Sequence, residues 1–101
     1  MNILEKIFGK KVNLREVISS GAVILDVRTK DEYHSGHIRN SINIPVDNLL
    51  QSIKKLNKNK AIITCCASGA RSASARRILL SNGFEEVYNG GSWSSLKNYI
   101  S

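Results

Sequence analysis

Ala61-Ile-Ile-Thr-Cys-Cys-Ala-Ser-Gly-Ala-Arg-Ser72 opens as a continuous apolar run and closes in small and polar residues. The run predicts a strand over 61–65, and its lack of polar alternation suits a strand covered on both faces. From Ser72 to Asn82 the chain sets Ala75, Ile78 and Leu79 at helical spacing, with Asn82-Gly83 as a stop signal. A buried strand, a tight connection and a helix in that order point to an α/β fold with a mainly parallel sheet.

The flanking sequence repeats the pattern. Ala22-Val-Ile-Leu-Asp-Val27 reads as a second buried strand, Ile42-Asn-Ile44 as a short one stopped by Pro45, and Glu86-Val-Tyr88 as another. Val12-Asn13 is expected to add an edge. Asp47 is placed to cap a helix whose Leu49, Leu50, Ile53 and Leu56 fall on one stripe. Asp31-Glu-Tyr33 has the form of a short helix start, and Ser92 to Ile100 that of a last helix presenting Leu96, Tyr99 and Ile100. Ile3, Leu4, Ile7 and Phe8 form an apolar stripe, consistent with a helical extension over residues 1–11 docked on the domain. The expectation is a single domain over 1–101, with a small sheet of about four to five strands flanked by helices on both faces.

Composition narrows the function classes. With 42% hydrophobic and 23% charged residues the chain has the balance of a soluble globular protein. It offers no apolar stretch near the ~20 residues of a membrane-spanning helix. Its charged, interrupted start is unlike a secretory signal, so the cytoplasm is the expected location. The net charge of +7 favours anionic partners. The only local cluster, Lys54-Lys55 with Lys58 and Lys60, lacks interleaved aromatics and suits a solvated helix end better than a nucleic-acid surface. His34 and His37 have no Cys-x-x-Cys partner, so no metal site is expected. Adjacent Cys65 and Cys66 do not suit a disulfide framework. A monomer is the default.

The chemistry collects at the strand end. In open α/β sheets ligands meet the carboxyl ends of the strands. Cys66 stands there, just ahead of a helix, and a thiol reacts as its thiolate. Ala67-Ser68-Gly69-Ala70 can curl its N–H groups into a nest for negative charge, with Gly69 supplying the unusual backbone conformation. Ser72 is read as the helix N-cap, and Arg71 brings a planar cation suited to oxyanions. Together these would stabilise an anion on Cys66 and seat an anionic donor beside it.

Cys66-x-x-Gly69-x-Arg71-Ser72 after an apolar strand resembles the active-site loop of rhodanese-like sulfurtransferases. Leu25-Asp-Val-Arg28, Asp31-Glu-Tyr33, Gly36-His-Ile38 and Ile42-Asn-Ile-Pro45 are similar to that family's N-terminal signature. Asn82-Gly-Phe84, Val87-Tyr88 and Gly90-Gly91 with Trp93 are similar to its C-terminal end, so the likeness runs over residues 12–100. It implies sulfur transfer from an anionic donor such as thiosulfate to a thiol, cyanide or protein acceptor. The carrier would be a covalent Cys66 persulfide, with no other cofactor, and residues 67–72 would form the persulfide-binding loop. Ala67 stands where many thiosulfate-using members carry a cation, which leaves Arg71 as the loop's own.

Other readings stay open on the residues alone. Counted from Cys65, the segment is Cys-x5-Arg71, the spacing of cysteine-dependent phosphatases and arsenate reductases. Against it, Thr64 stands where many phosphatases have His, and Gly69 falls one residue late. Cys65 could pack in the core or act as a resolving thiol. A sulfur-relay or interaction domain with little free turnover is a further alternative. Asp26 is expected to cap the turn after its strand and Arg28 to pair with a carboxylate such as Glu32, both in supporting roles. His34 and His37 read as structural, and Trp93 as packing beside the loop.

Overall fold

Apolar residues at alternating positions of a strand supply two faces at once, and the computed structural model, which describes residues 12–100, shows both covered. β1 (Val23–Asp26) and β3 (Ile62–Cys66) lie side by side at the centre of a four-stranded parallel sheet. β2 (Ile42–Asn43) pairs with the outer edge of β1 and β4 (Val87–Ser92) with β3, giving the order β2-β1-β3-β4.

Among the described residues five helices connect or flank these strands: α1 (Leu14–Ser19), α2 (Lys30–Ser35), α3 (Leu49–Ser52), α4 (Ala70–Ser81) and α5 (Trp93–Leu96). One core joins Leu25, Val27, Ile62 and Cys66 to Leu49 of α3 and to Ala75 and Leu79 of α4. The other joins Ile24, Ile63 and Cys65 to Leu96 of α5, with Leu14, Val17 and Ile18 of α1 packed against it. The pleat thus sends the two neighbouring cysteines to opposite faces of the sheet.

Several sequence expectations need correction. Val12-Asn13 forms no edge strand: Asn13 instead caps α1, its Oδ1 accepting from the Glu16 N–H at 3.3 Å. Gly21, with φ +98°, stops α1, but six residues leave little for periodicity to register. Asp47 caps nothing; it sits within a 3-10 turn over Val46–Asn48 that follows Pro45. Only Leu49–Ser52 is α-helical before a second 3-10 turn, Ile53–Lys55, and Leu50 is exposed. The last segment is likewise α-helical only over Trp93–Leu96, then 3-10 over Lys97–Tyr99. The extension over residues 1–11 lies outside the described residues.

β4 runs longer than Glu86–Tyr88 because Gly90 lets it press against its neighbours. A Cβ there would lie 2.8 Å from Ile63 Cγ2, 2.9 Å from Leu96 Cδ2 and 2.9 Å from the Thr64 carbonyl oxygen. One of those contacts is backbone, so relief requires the strand to move. Gly90→Ala is expected to destabilise the fold by about 3 kcal/mol through overpacking, read as a lower midpoint in urea denaturation.

Candidate active site

The loop between β3 and α4 is built around Cys66. Its Sγ accepts hydrogen bonds from the N–H of Gly69 at 3.0 Å and of Ser72 at 3.3 Å. Gly69 has φ +107°, a left-handed conformation that turns the chain inward, and it stands at the N-cap of α4 without a side-chain cap. α4 therefore starts at Ala70, two residues before the position read from sequence. Ser72 is not its cap.

Ser72 points into the site instead. Its Oγ lies 3.5 Å from Cys66 Sγ, 2.6 Å from Asn89 Oδ1 and 2.9 Å from the Gly69 carbonyl oxygen. A hydroxyl has a single proton, so it serves one of these acceptors at a time. With Cys66 as a thiol, the S–H donates to Oγ and the hydroxyl proton goes elsewhere. With Cys66 as a thiolate, the hydroxyl turns to the sulfur. Burial works against ionisation, but hydrogen bonds from the Ser72 hydroxyl and from the N–H groups of Ser72, Gly69 and Ser68 outweigh it. The Cys66 thiol is held below its ordinary value.

Cys65 has the opposite environment. It is fully buried among Ile24, Ile38, Ile63 and Leu96, and burial together with the Asp26 carboxylate pushes its thiol up to about 12. The loop amides converge on Cys66, so the Cys-x5-Arg count from Cys65 does not match the geometry of the loop. Cys65 is a core residue.

The contrast makes Cys66 the more acidic of the two cysteines. Ser72→Ala removes a donor to the thiolate and is expected to raise the Cys66 pKa. The pH dependence of alkylation, followed by thiolate absorbance, reads this without interference from Cys65. The thiolate fraction, and with it the alkylation rate, rises with pH in both proteins, and the Ser72→Ala curve lies at higher pH.

Arg71 and Glu32 form the rim. Arg71 Nη1 donates to Glu32 Oε1 at 2.7 Å and Nη2 to Oε2 at 3.0 Å, a two-pronged pair between α4 and α2. Glu32 is fixed from its own side by a capping box: Oε1 also accepts from the Thr29 N–H at 3.0 Å, while Thr29 Oγ1 accepts from the Glu32 N–H. Arg71 above all, then the Thr29 N–H, holds the Glu32 carboxyl down to about 2.

Arg28 does not pair with the Glu32 carboxylate. It is 4% exposed and grips Asp26, its Nη2 donating to Oδ2 at 2.8 Å and its Nε to Oδ1 at 3.0 Å. Other guanidinium protons go to the carbonyl oxygens of Glu32 and Gly36, and Trp93 lies over the guanidinium with 4.6 Å to the ring centroid. Asp26 Oδ1 also accepts from the Arg28 N–H at 3.0 Å, as a residue capping this turn should. Asp26 is opposite Cys65 in the sheet, so the pair braces the floor beneath the loop without touching Cys66. His37 stacks on Tyr33 and contacts the Tyr33 carbonyl through Nδ1, in a structural role.

Two site residues escaped the sequence reading. Asn89 fixes Ser72 and also accepts from the Gly91 N–H, yet nothing local marks it. Glu32 was assigned the wrong arginine. Its Thr29-x-x-Glu32 spacing signals a capping box, but a partner 39 residues away leaves no local trace. Among the described residues no group of His, Cys, Asp or Glu is arranged to hold a metal, and no helix is long and apolar enough to cross a membrane.

This strand-end thiol, held by amides at the start of the following helix, lies in a chain that matches a known family over most of its length: the Rhodanese-like domain model matches residues 11–98. The chain belongs to the rhodanese-like domain family. This rhodanese-like domain is 36% identical over 67 residues to the thiosulfate sulfurtransferase GlpE of Coxiella burnetii, covering 66% of the chain and 63% of that protein. It is 37% identical over 82 residues to YrkF of Bacillus subtilis, provisionally named a sulfur carrier protein, covering 81% of the chain but 42% of YrkF. Among solved structures, a rhodanese-related protein from Thermoplasma volcanium superposes with a TM-score of 0.73 at 37% identity, covering 86% of each chain. The human single-domain sulfurtransferase TSTD1 gives a TM-score of 0.75 at 25% identity, covering 87% of this chain and 92% of that one.

Proposed function

We propose that this domain is a sulfurtransferase that carries sulfane sulfur as a persulfide on Cys66. The observation that carries the proposal is the convergence of the Gly69 and Ser72 N–H groups on Cys66 Sγ, in a chain of the rhodanese-like family. Such a cradle favours the thiolate and would hold the negative sulfur of a persulfide equally well.

In the first half-reaction the Cys66 thiolate attacks the outer sulfur of a donor such as thiosulfate. The Sγ–S bond forms as the donor S–S bond breaks, and the bonding pair leaves with sulfite. In the second half, cyanide or an acceptor thiolate attacks the terminal sulfur and Cys66 returns as thiolate. Covalent catalysis splits the transfer into two easier steps, and neither half needs a side-chain base or a further cofactor. Steady-state thiocyanate formation from thiosulfate and cyanide tests the cycle. Double-reciprocal plots are expected to be parallel, the signature of a ping-pong exchange; intersecting lines would contradict a free persulfide intermediate.

The relatives include both a sulfurtransferase and a protein named for sulfur carriage. Delivery to one dedicated protein acceptor uses the same chemistry, and in that case cyanide would be a poor acceptor while loading of Cys66 stayed fast.

A further inference from the structure

Among the described residues from Cys66 to Ser72 the loop carries one cation, Arg71, and it is paired with Glu32. Arg71 immediately precedes Ser72, whose N–H holds Cys66 Sγ, and its guanidinium is near enough to interact with the charge on Cys66. Both forward guanidinium nitrogens lie on the two oxygens of Glu32, and the two side chains are equally exposed at 36%. Thr29 also holds Glu32 Oε1 in place, through its N–H at 3.0 Å and its hydroxyl at 3.1 Å. The other nearby arginine, Arg28, is buried on Asp26. Ala67, Ser68 and Ala70 bring no charge. An oxyanion approaching Arg71 therefore meets a guanidinium whose charge the Glu32 carboxylate offsets.

That arrangement bears on the donor. Thiosulfate carries two negative charges, and its leaving group, sulfite, carries them through the transition state at the mouth of the loop. A small thiol persulfide brings at most one charge on the transferred sulfur, which enters the amide cradle rather than the rim.

We propose that Glu32 is a specificity-determining residue: by occupying Arg71 it discriminates against dianionic donors and favours thiol persulfides, such as a cysteine persulfide. This rests on the sulfurtransferase reading above. The step balances without an oxidant. The Cys66 thiolate attacks the outer sulfur of RSSH, the Sγ–S bond forms, the donor S–S bond breaks, and the thiolate RS⁻ departs. The proton of the outer sulfur passes to it, leaving RSH and a Cys66 persulfide anion. Sulfur moves as a neutral atom.

Glu32→Gln tests the filter: it keeps the shape and an acceptor for Thr29, removes the charge and sets an amide donor against Arg71 Nη2, which releases the guanidinium. Persulfide formation from thiosulfate and from cysteine persulfide is followed by rapid quench and intact mass, giving a second-order rate constant for each donor. The thiosulfate-to-cysteine-persulfide ratio is expected to rise about tenfold, the lower end of what a single charge at a site entrance does to anion capture. The gain should shrink with added salt. Glu32→Ala, which removes the carboxylate outright, should raise the same ratio and decides the matter if Glu32→Gln fails to fold. An unchanged or lower ratio overturns the filter even though both donors load Cys66. Failure of both donors to load the wild type overturns the sulfur-transfer reading itself.

Discussion

Cys66→Ser loses sulfur transfer by roughly three orders of magnitude or more, the scale on which removal of a covalent nucleophile acts. Cys65→Ala retains most of it. The two residues are neighbours in sequence and carry the same functional group, so the difference must come from the pleat and the loop. Cys66 Sγ receives N–H donors from Gly69 and Ser72, whereas Cys65 lies in an apolar cluster with its thiol pushed up to about 12. A thiol that high leaves negligible thiolate at neutral pH. Alanine at 65 trades a small apolar side chain for a smaller one, at a modest packing cost. Equal losses in the two variants, with both folded, would mean that Cys65 takes part in the chemistry.

Asp26→Ala should be the most destabilising single truncation at the floor of the site. It strands the Arg28 guanidinium, which is 4% exposed and takes its principal partner from Asp26. Breaking a buried pair in this way costs about 3–5 kcal/mol, because the remaining charge stays uncompensated. That is a large part of the 5–15 kcal/mol or so by which a domain is usually stable. The double variant Asp26→Ala with Arg28→Met should recover at least half of the loss, since Met refills the space under Trp93 without a charge. Denaturant midpoints at fixed pH read both quantities. If the double variant is no better than the single one, the two carbonyl contacts of Arg28 to Glu32 and Gly36, rather than charge burial, hold this corner together.

The layout of the molecule was legible in its sequence wherever one local signal sufficed. Val23–Asp26 and Ile62–Cys66 announce themselves as unbroken apolar runs because both sheet faces are covered. Gly69 marks the left-handed turn, and Cys66-x-x-Gly69-x-Arg71-Ser72 marks the loop. What local pattern could not convey is which side chain meets which across the fold. Thr29-x-x-Glu32 fixes Glu32 at the start of α2, yet its charge partner comes from α4. Ser72 has the residue type of an N-cap, but Gly69 already turns the chain into the helix, which frees the hydroxyl to face Cys66 and Asn89. Asn89 enters the site through the register of β4 on β3, where the pairing shifts between Thr64 and Cys66. Helix lengths were harder to read: the stripes over 49–56 and 92–100 run past the four-residue α3 and α5 because 3-10 turns follow each of them, while the six residues of α1 are too few for a period to show.

The central claim is that Cys66 carries the transferred sulfur, and intact-mass analysis tests it most directly. Wild type, Cys65→Ala and Cys66→Ser are treated briefly with cysteine persulfide or with excess thiosulfate and weighed before and after reduction. The account predicts a gain of one sulfur atom in wild type and Cys65→Ala, removed by reductant, and none in Cys66→Ser. A sulfur adduct that survives in Cys66→Ser and disappears in Cys65→Ala, or no adduct on the folded wild type with either donor, would contradict it.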